Sequence, residues 1–344
     1  MKMRNAYIRF YRYLSFLKAI FYKFRVANIL LCLVAFKVKS ARAWCYPALV
    51  QIEPTNRCNL HCKLCPTGQK HLNRALSDLS LEQFQSIIDC LESSLAYLVL
   101  YVAGEPLLNK DILKMIGYAK KKNIYIRFST NATNSCFGNG RGIKELVDSG
   151  VDELIIALDC IDRGAYEDFK GYDGFLEVSD NVQKIIRERG KRPAPFIHLQ
   201  SIVTKDNESD LKKFLCLGKG LNVDKVSFKT VCINLYGFNG QEKYLPSRKE
   251  YVRGVYLRDD NPGSCFKPWI STTVLSNGSI VPCCFDMDGD WSFGNIFAEG
   301  FKKTWNNDAY TAFRKAVLCG PGELDLCQGC PGKNIPRNFI KGPR

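Results

Sequence analysis

The sequence predicts an α/β fold: a partial, TIM-like (β/α)6 barrel over residues 46–235, a linker over 236–264 and a small cysteine-rich domain over 265–335, all preceded by a basic amphipathic arm at 1–45. Three observations point there. From residue 48 short, apolar, β-rich runs alternate with longer stretches of helical periodicity, and parallel neighbours need such crossover connections. The alternation yields six strand–helix units, short of the eight that close a barrel. An open partial barrel is therefore favoured over a doubly wound sheet, although periodicity by itself does not separate the two. Beyond about residue 235 the alternation stops, and cysteines gather in closely spaced sets.

"ALVQIE" (48–53) reads as the first strand. "SLEQFQSIIDCLESSL" opens with a Ser80/Gln83 capping box and places Phe84, Ile87, Ile88, Leu91 and Leu95 on one helical face. "YLVLYV" (97–102) is a strand, and "NKDILKMIGYAKKKN" a helix capped by Asn109. "IYIRFS" (124–129), "ELIIAL" (153–158), "PFIHLQSIV" (195–203) and "KVSFKT" (225–230) are further strands, separated by helices near 141–149, 176–189 and 207–217. The polar, Gly/Pro-punctuated stretch before residue 265 suits a linker. "CFKPWISTTVLSNGSIVPCC" looks like a hairpin turning at Asn277-Gly278, followed by a helix near 301–317. In either architecture function collects at the carboxyl ends of the strands.

The chain of 344 residues carries a net charge of +15, which invites a nucleic-acid reading. The distribution argues against one. Ten of the 49 Lys+Arg fall in residues 1–52, which hold no acid, leaving 39 basic against 34 acidic residues for the rest. The arm mixes Tyr, Phe, Leu and Ile with Arg and Lys, so a helix there carries aromatics on one face and cations on the other. Such a helix suits the headgroup layer of an anionic membrane, or packing on its own domain. Its longest charge-free run, Val26–Phe36, is too short to span a bilayer of about 30 Å. A signal peptide is the rival reading, because "SARAW" offers a cleavage-like site. The expected location is cytoplasmic, peripheral at the inner face of the membrane.

Sixteen cysteines imply either disulfides in an oxidising space or metals in a reducing one. Their clustering favours metals. "CNLHCKLC" (58–65) sets Cys58, Cys62 and Cys65 at C-x3-C-x2-C just after the first strand, a pattern that matches no common zinc spacing. Three thiolates from one loop are what a four-iron cluster with one open iron needs. A zinc site, or a redox pair of Cys62 and Cys65, is the alternative.

This signature resembles that of the radical S-adenosylmethionine (SAM) enzymes, over roughly residues 46–335. The resemblance implies that Cys58, Cys62 and Cys65 hold a [4Fe-4S] cluster whose fourth iron chelates SAM. "AGEP" resembles the family's Gly-Gly-Glu-Pro motif, with Ala103 for the first glycine; Gly104 would admit the methionine part of SAM, Glu105 would accept from its ammonium, and Pro106 completes the motif. "STNAT" and "ALDC" resemble the stretches after the third and fourth strands and offer Ser129, Asn131 and Asp159 as SAM contacts, with Ala132 and Cys160 replacing the usual glycines. The family chemistry is reductive cleavage of SAM to a 5′-deoxyadenosyl radical that takes a hydrogen atom from substrate. A largely apolar barrel interior would suit it.

Cys265, Gly278, Cys283, Cys327 and Cys330 resemble, in order and spacing, the auxiliary-cluster domain of such enzymes, called SPASM or, when shorter, twitch. The resemblance implies a second, auxiliary [4Fe-4S] cluster held by Cys265, Cys283, Cys327 and Cys330; a four-cysteine zinc knuckle uses the same residues. Cys284 is a candidate hydrogen donor, and Asp286 a candidate base. The expected activity is oxidation or epimerisation of a sugar, cyclitol or carrier- or lipid-linked substrate, with a reductase- or flavodoxin-type electron donor. Peptide maturation is the alternative, set lower because residues 1–47 are short for the recognition domain of many peptide-modifying relatives. A non-catalytic iron–sulfur or zinc scaffold is the remote one.

Overall fold

All six expected strands are present and parallel in the computed structural model, which describes residues 2–137, 142–231, 241–248, 251, 265–320, 322, 324–328 and 339–340. They are β1 (Leu49–Ile52), β2 (Tyr97–Leu100), β3 (Tyr125–Thr130), β4 (Glu153–Ala157), β5 (Phe196–Val203) and β6 (Lys225–Thr230). They pair in chain order, with Leu49 opposite Tyr97, Tyr97 opposite Tyr125, Arg127 opposite Glu153, Glu153 opposite Phe196 and His198 opposite Lys225. β7 (Ser271–Val274) adds parallel to β1, β8 (Ile280–Val281) antiparallel to β7, and β9 (Phe339–Ile340) antiparallel to β6. Among the described residues the nine-stranded sheet therefore runs β8-β7-β1-β2-β3-β4-β5-β6-β9 and does not close.

Eight helices accompany the core: α1 (Lys2–Ile20), α2 (Arg25–Lys37), α3 (Leu81–Leu91), α4 (Ile112–Lys121), α5 (Gly142–Asp148), α6 (Arg163–Lys170), α7 (Phe175–Arg189) and α8 (Leu211–Gly220). The Ser80/Gln83 capping box of α3 forms as expected. Asn109 does not cap α4, whose N-cap is Asp111; its amide instead donates to the carbonyls of Pro54 and Leu79 at 2.7 and 2.9 Å, because those buried acceptors lie within reach. The helix α6 was not anticipated, although Asp162 accepts from Ala165 N at its start and Gly171 ends it at φ +65°.

Side chains alternate across each strand. Ile126 and Phe128 pack into the core, whereas Gln51, Arg127, Glu153, His198 and Ser227 share the other face, the lumen of the open barrel. Their polarity corrects the expectation of an apolar interior. His198 bridges Glu153 Oε1 at 3.1 Å and Ser227 Oγ at 2.6 Å, and Gln200 donates to Ser227 Oγ at 3.3 Å. Burial opposes charge on Glu153, but the His198 hydrogen bond and the Arg127 and Arg12 guanidiniums outweigh it and hold the carboxyl at about 2. Burial lowers His198 to about 4, so it is neutral at pH 7.

The arm is part of this body. Arg25 is fully buried and donates to the carbonyls of Ala19, Glu92, Lys122 and Asn123 at 2.7–3.0 Å, gathering the carboxyl ends of α1, α3 and α4 around one cation. A Cys32–Cys45 disulfide, with Cα atoms 5.4 Å apart, joins α2 to the segment leading into β1. The pair lies outside the clusters expected to serve metals. No single described helix is long and apolar enough to cross a membrane; α1 and α2 make one bent pair, at 78°.

Beyond the linker, α9 (Lys267–Ile270) leads into the β7–β8 hairpin, which turns through Gly278 at φ +88°. The helix expected near 301–317 is two, because Asn307 accepts from Tyr310 N and restarts the chain; α10 (Ile296–Glu299), α11 (Phe301–Trp305), α12 (Asp308–Cys319) and α13 (Asp325–Gln328) follow one another here.

Glu53, which follows β1 and is fully buried, joins these parts. It accepts from Arg74 Nη1 at 2.6 Å, Ser276 Oγ at 2.7 Å, Ser276 N at 3.0 Å and Ala103 N at 3.2 Å. Arg74 Nε in turn donates to Met287 O at 2.5 Å. One carboxylate thus fastens the cysteine loop, the loop after β2 and the hairpin of the carboxy-terminal segment. All of its oxygen contacts are made by buried donors, which is what keeps a buried ion pair from being a cost.

Candidate functional site

The chain leaves β1 into a loop whose Cys58, Cys62 and Cys65 are all half-buried free thiols. Cys65 N donates to Cys62 O at 3.1 Å, closing the turn between them. His61 N and Lys63 N donate to the carbonyls of Lys170 and Phe169, each at 3.0 Å, so the end of α6 supports the loop from one side. A Cβ at Gly68 would stand 2.7 Å from Cys62 N, and one at Gly104 would stand 2.5 Å from Thr55 O and 2.6 Å from Arg57 O. Gly104, at φ +72°, therefore serves the close approach of the loop after β2 to the cysteine loop.

The predicted contacts of the next three strands converge on the same end. Glu105 is buried and accepts from Leu107 N at 3.1 Å and Asn131 N at 2.7 Å, and Pro106 opens a short 3-10 turn behind it. Burial pushes its carboxyl up to about 7, against the hydrogen bonds that favour charge. Asn131 turns its amide to Asn59 Oδ1 at 2.9 Å, so it holds the cysteine loop. Ala132, at φ +57°, keeps the left-handed backbone that the resembled motif gives to glycine, at a cost of about 1–2 kcal/mol. Ser129, half-buried, faces the lumen two residues beyond Arg127. Asp159, at φ +66°, accepts from Ile202 N at 2.7 Å with one oxygen and pairs with the Lys170 ammonium through the other, so it orients a cation instead of offering an open contact.

Lys170 was not anticipated. It is 4% exposed, sits at the end of α6, and shares its surroundings with Cys62. Burial works against its charge, but the Asp159 carboxylate beside it outweighs burial and holds the ammonium well above its ordinary range. The signals were the Asp162 and Gly171 caps that bracket α6 and the inward spacing of Tyr166, Phe169 and Lys170.

Burial raises the Cys58 thiol to about 12 and Cys62 to about 11. Both are protonated until a cation displaces the proton. Two buried polar atoms beside this loop, Tyr166 Oη and Thr67 Oγ1, have no hydrogen-bond partner among the described residues, and the charges of Lys170 and Asp159 act on Tyr166. Buried polar atoms without partners are rare in finished interiors. Three thiols, a buried acid, a buried ammonium and orphaned donors in one place fit an iron–sulfur cluster with a zwitterionic ligand. Among the described residues no three Cys, His, Asp or Glu side chains converge as tightly as one metal ion requires.

In the carboxy-terminal segment Cys265 precedes α9, Cys283 follows β8 and Cys327 lies in α13, all half-buried; Cys330 lies outside the described residues. Cys284 is half-buried, immediately after Cys283, and lies close enough to interact with Tyr101, the residue after β2 on the lumen face. Asp286 is no open base. It is 3% exposed and accepts from Gly289, Asp290 and Trp291 N at 2.9–3.0 Å, because its carboxylate shapes the loop after the hairpin; burial raises its pKa against those bonds.

Residues 52–217 match the radical SAM superfamily, and residues 265–331 match SPASM, an iron–sulfur cluster-binding domain. The chain is 23% identical to the tungsten-containing aldehyde ferredoxin oxidoreductase cofactor-modifying protein of Pyrococcus furiosus, covering 76% of this chain and 82% of that one. It is 19% identical to a PqqA peptide cyclase of Xanthomonas euvesicatoria, covering 84% and 81%. Among solved structures, Streptococcus suis SuiB bound to its precursor peptide SuiA aligns at TM-score 0.63 and 15% identity, over 89% of this chain and 77% of that chain.

The raised Glu105 pKa makes a prediction about pH. The folded chain retains a proton between the ordinary carboxyl value and about 7 that the unfolded chain has lost. Stability contributed by this group is therefore present at low pH and lost as pH rises through that window. In urea unfolding without SAM, wild type loses up to about 3 kcal/mol relative to Glu105→Gln between pH 5 and 8. A constant difference across that range is the contrary result.

Proposed function

Because the chain belongs to the radical SAM superfamily and carries its SPASM iron–sulfur domain, we propose that it takes a hydrogen atom from a peptide held in the polar lumen of its barrel. The observation that carries the chemistry is the convergence of the three-cysteine loop with Glu105, Lys170 and the orphaned Tyr166 hydroxyl at the carboxyl ends of the strands. Reductive cleavage of SAM at the first [4Fe-4S] cluster supplies the 5′-deoxyadenosyl radical, and the auxiliary cluster supplies a second electron carrier.

Within that frame each residue has a task. Cys58, Cys62 and Cys65 hold the first cluster, and Cys265, Cys283, Cys327 and Cys330 the auxiliary one. Glu105 accepts from the SAM ammonium, which keeps its own carboxyl ionised, and Lys170 pairs with the SAM carboxylate while Asp159 fixes its position. Cys284 returns a hydrogen atom to the substrate in an epimerisation, or stays silent in an oxidation. The electron enters from a reductase- or flavodoxin-type donor.

A peptide is supported by the relatives: the PqqA peptide cyclases and SuiB in complex with SuiA align over most of this chain. The sequence-based preference for a sugar, cyclitol or carrier-linked substrate stands second. It is favoured by the density of hydrogen-bonding groups in the lumen, Gln51, Arg127, His198 and Gln200 among them. The arm supports peripheral contact with an anionic membrane from the cytoplasmic side. At its bend Phe21 and Phe24 are 69% and 79% exposed, Leu30, Leu31, Val34 and Val38 follow along the outer side of α2, and Lys23, Lys37 and Lys39 are exposed beside them.

Under dithionite and without oxygen, short peptides raise 5′-deoxyadenosine formation at least about tenfold over the substrate-free rate, whereas aminocyclitols and hexoses do not. The opposite ranking assigns the second reading. Cys284→Ser leaves 5′-deoxyadenosine formation intact and removes solvent deuterium from the product if the thiol is the donor. For the arm, full-length protein floats with anionic vesicles, and Phe24→Asp weakens this by about tenfold or more, as loss of one buried aromatic requires; equal flotation of both removes the contact.

A further inference from the structure

A cavity of about 570 Å³ lies at the opposite end of the barrel from the cysteine loop. Its walls come from α1 and from the first residues of β2 to β6: Tyr97, Tyr125, Glu153, Phe196 and Lys225 each open a strand. Helix α1 closes it from outside with Arg9, Arg12, Tyr13 and Phe16. The packing that builds the wall is specific. Phe16 meets Tyr97 and Tyr125 edge-on at 6.0 and 5.6 Å, those two tyrosines stack at 5.2 Å, and Arg12 lies over the Phe196 ring at 4.4 Å.

The charge balance of this chamber is one-sided. Arg9, Arg12 and Lys225 line it, and Arg127 lies just behind Glu153 at 3.5 Å. Among the described residues Glu153 is the one acid in the lining, and it is already engaged by His198 and Arg127, with the Arg12 guanidinium acting on it as well. Neither Arg9 nor Arg12 makes an ion pair among the described residues. The neighbouring guanidiniums act on Lys225, whose pKa is lowered first by burial and then by Arg12, Arg127 and Arg9 against the pull of Glu153. Arg9 and Arg12, with no carboxylate at ion-pair distance among the described residues, repel each other across a partly enclosed space, and a multivalent anion relieves that repulsion.

We infer that this amino-terminal mouth is a second ligand site, which binds a phosphate group attached to an apolar or planar body. Phosphate suits the donors better than a carboxylate does: two planar guanidiniums and an ammonium offer more N–H groups than two oxygens accept, and Arg is adapted to bidentate phosphate. The aromatic wall of Phe16, Tyr97, Tyr125 and Phe196 takes the remainder of the molecule. Because α1 carries two of the three lining cations and continues into the exposed apolar bend at Phe21 and Phe24, the phosphate comes either from a lipid headgroup or from a soluble phosphate monoester. The site stands apart from the radical chemistry and does not depend on it.

The test uses the full chain with its clusters in place and titrates phenyl phosphate, with inorganic phosphate as the simplest anion, by calorimetry at low salt. The expected result is saturable binding of phenyl phosphate that Arg9→Gln/Arg12→Gln weakens at least about tenfold, that Arg12→Lys retains in part, and that weakens as salt rises. Thermal melts of each variant separate loss of the site from loss of the fold. Vesicles of phosphatidylcholine with and without phosphatidic acid then identify the source: phosphatidic acid-dependent binding that phenyl phosphate displaces assigns a headgroup, and vesicle binding indifferent to phenyl phosphate assigns a soluble ligand. No binding of phenyl phosphate by folded wild type, or equal binding by the folded Arg9→Gln/Arg12→Gln variant, overturns the inference.

Discussion

Everything at the candidate active end hangs on the carboxylate of Glu53. It is placed by the last turn of the chain out of β1, with no exposure to water, and its oxygens receive donors from three separate parts of the sequence: Arg74, Ala103 and Ser276. A buried carboxylate tolerates few errors, since any donor removed leaves charge without compensation. The cysteine loop is therefore registered against the loop after β2 and against the hairpin of the SPASM segment by one group. The same logic recurs a few residues away, where Asp159 holds Lys170 and Lys170 faces Cys62.

The two ends of the barrel are built differently. At the carboxyl end, loops from successive strands interlock through backbone contacts that leave no space for a Cβ at Gly68 or Gly104. At the amino end, α1 crosses the strand openings and leaves a chamber lined by cations and rings. Between them the lumen carries a polar relay, Arg127–Glu153–His198–Ser227, in which a neutral histidine and an ionised glutamate are set by burial and by each other. Fixed dipoles rather than hydrocarbon therefore line the lumen beside the candidate active end.

The strands were legible because each combines a β-rich run with flanking turn residues, and the C-x3-C-x2-C spacing placed the first cluster loop on the end of β1. The Ser80/Gln83 box and the Asn277-Gly278 turn were legible for the same local reason. Other features depend on contacts between distant segments and could not be read that way. The close packing of Gly104 against the carbonyls of Thr55 and Arg57 is one of them. Asp286 looks like an available base until three backbone N–H groups close on it. Lumen polarity was hidden because Arg127, Glu153 and His198 sit in strands dominated by apolar neighbours on the opposite face. Lys170 was overlooked with its helix, whose eight residues carry too little periodicity to stand out from the loop around them.

The most direct measurement is iron and acid-labile sulfide per chain after anaerobic reconstitution, in wild type and in the Cys58/Cys62/Cys65→Ala variant. The account predicts about eight irons in wild type and about four in the variant, as two independent [4Fe-4S] sites require. Retention of about eight irons by the variant would contradict the assignment of the first cluster, and zinc in place of iron in the variant would contradict the auxiliary one.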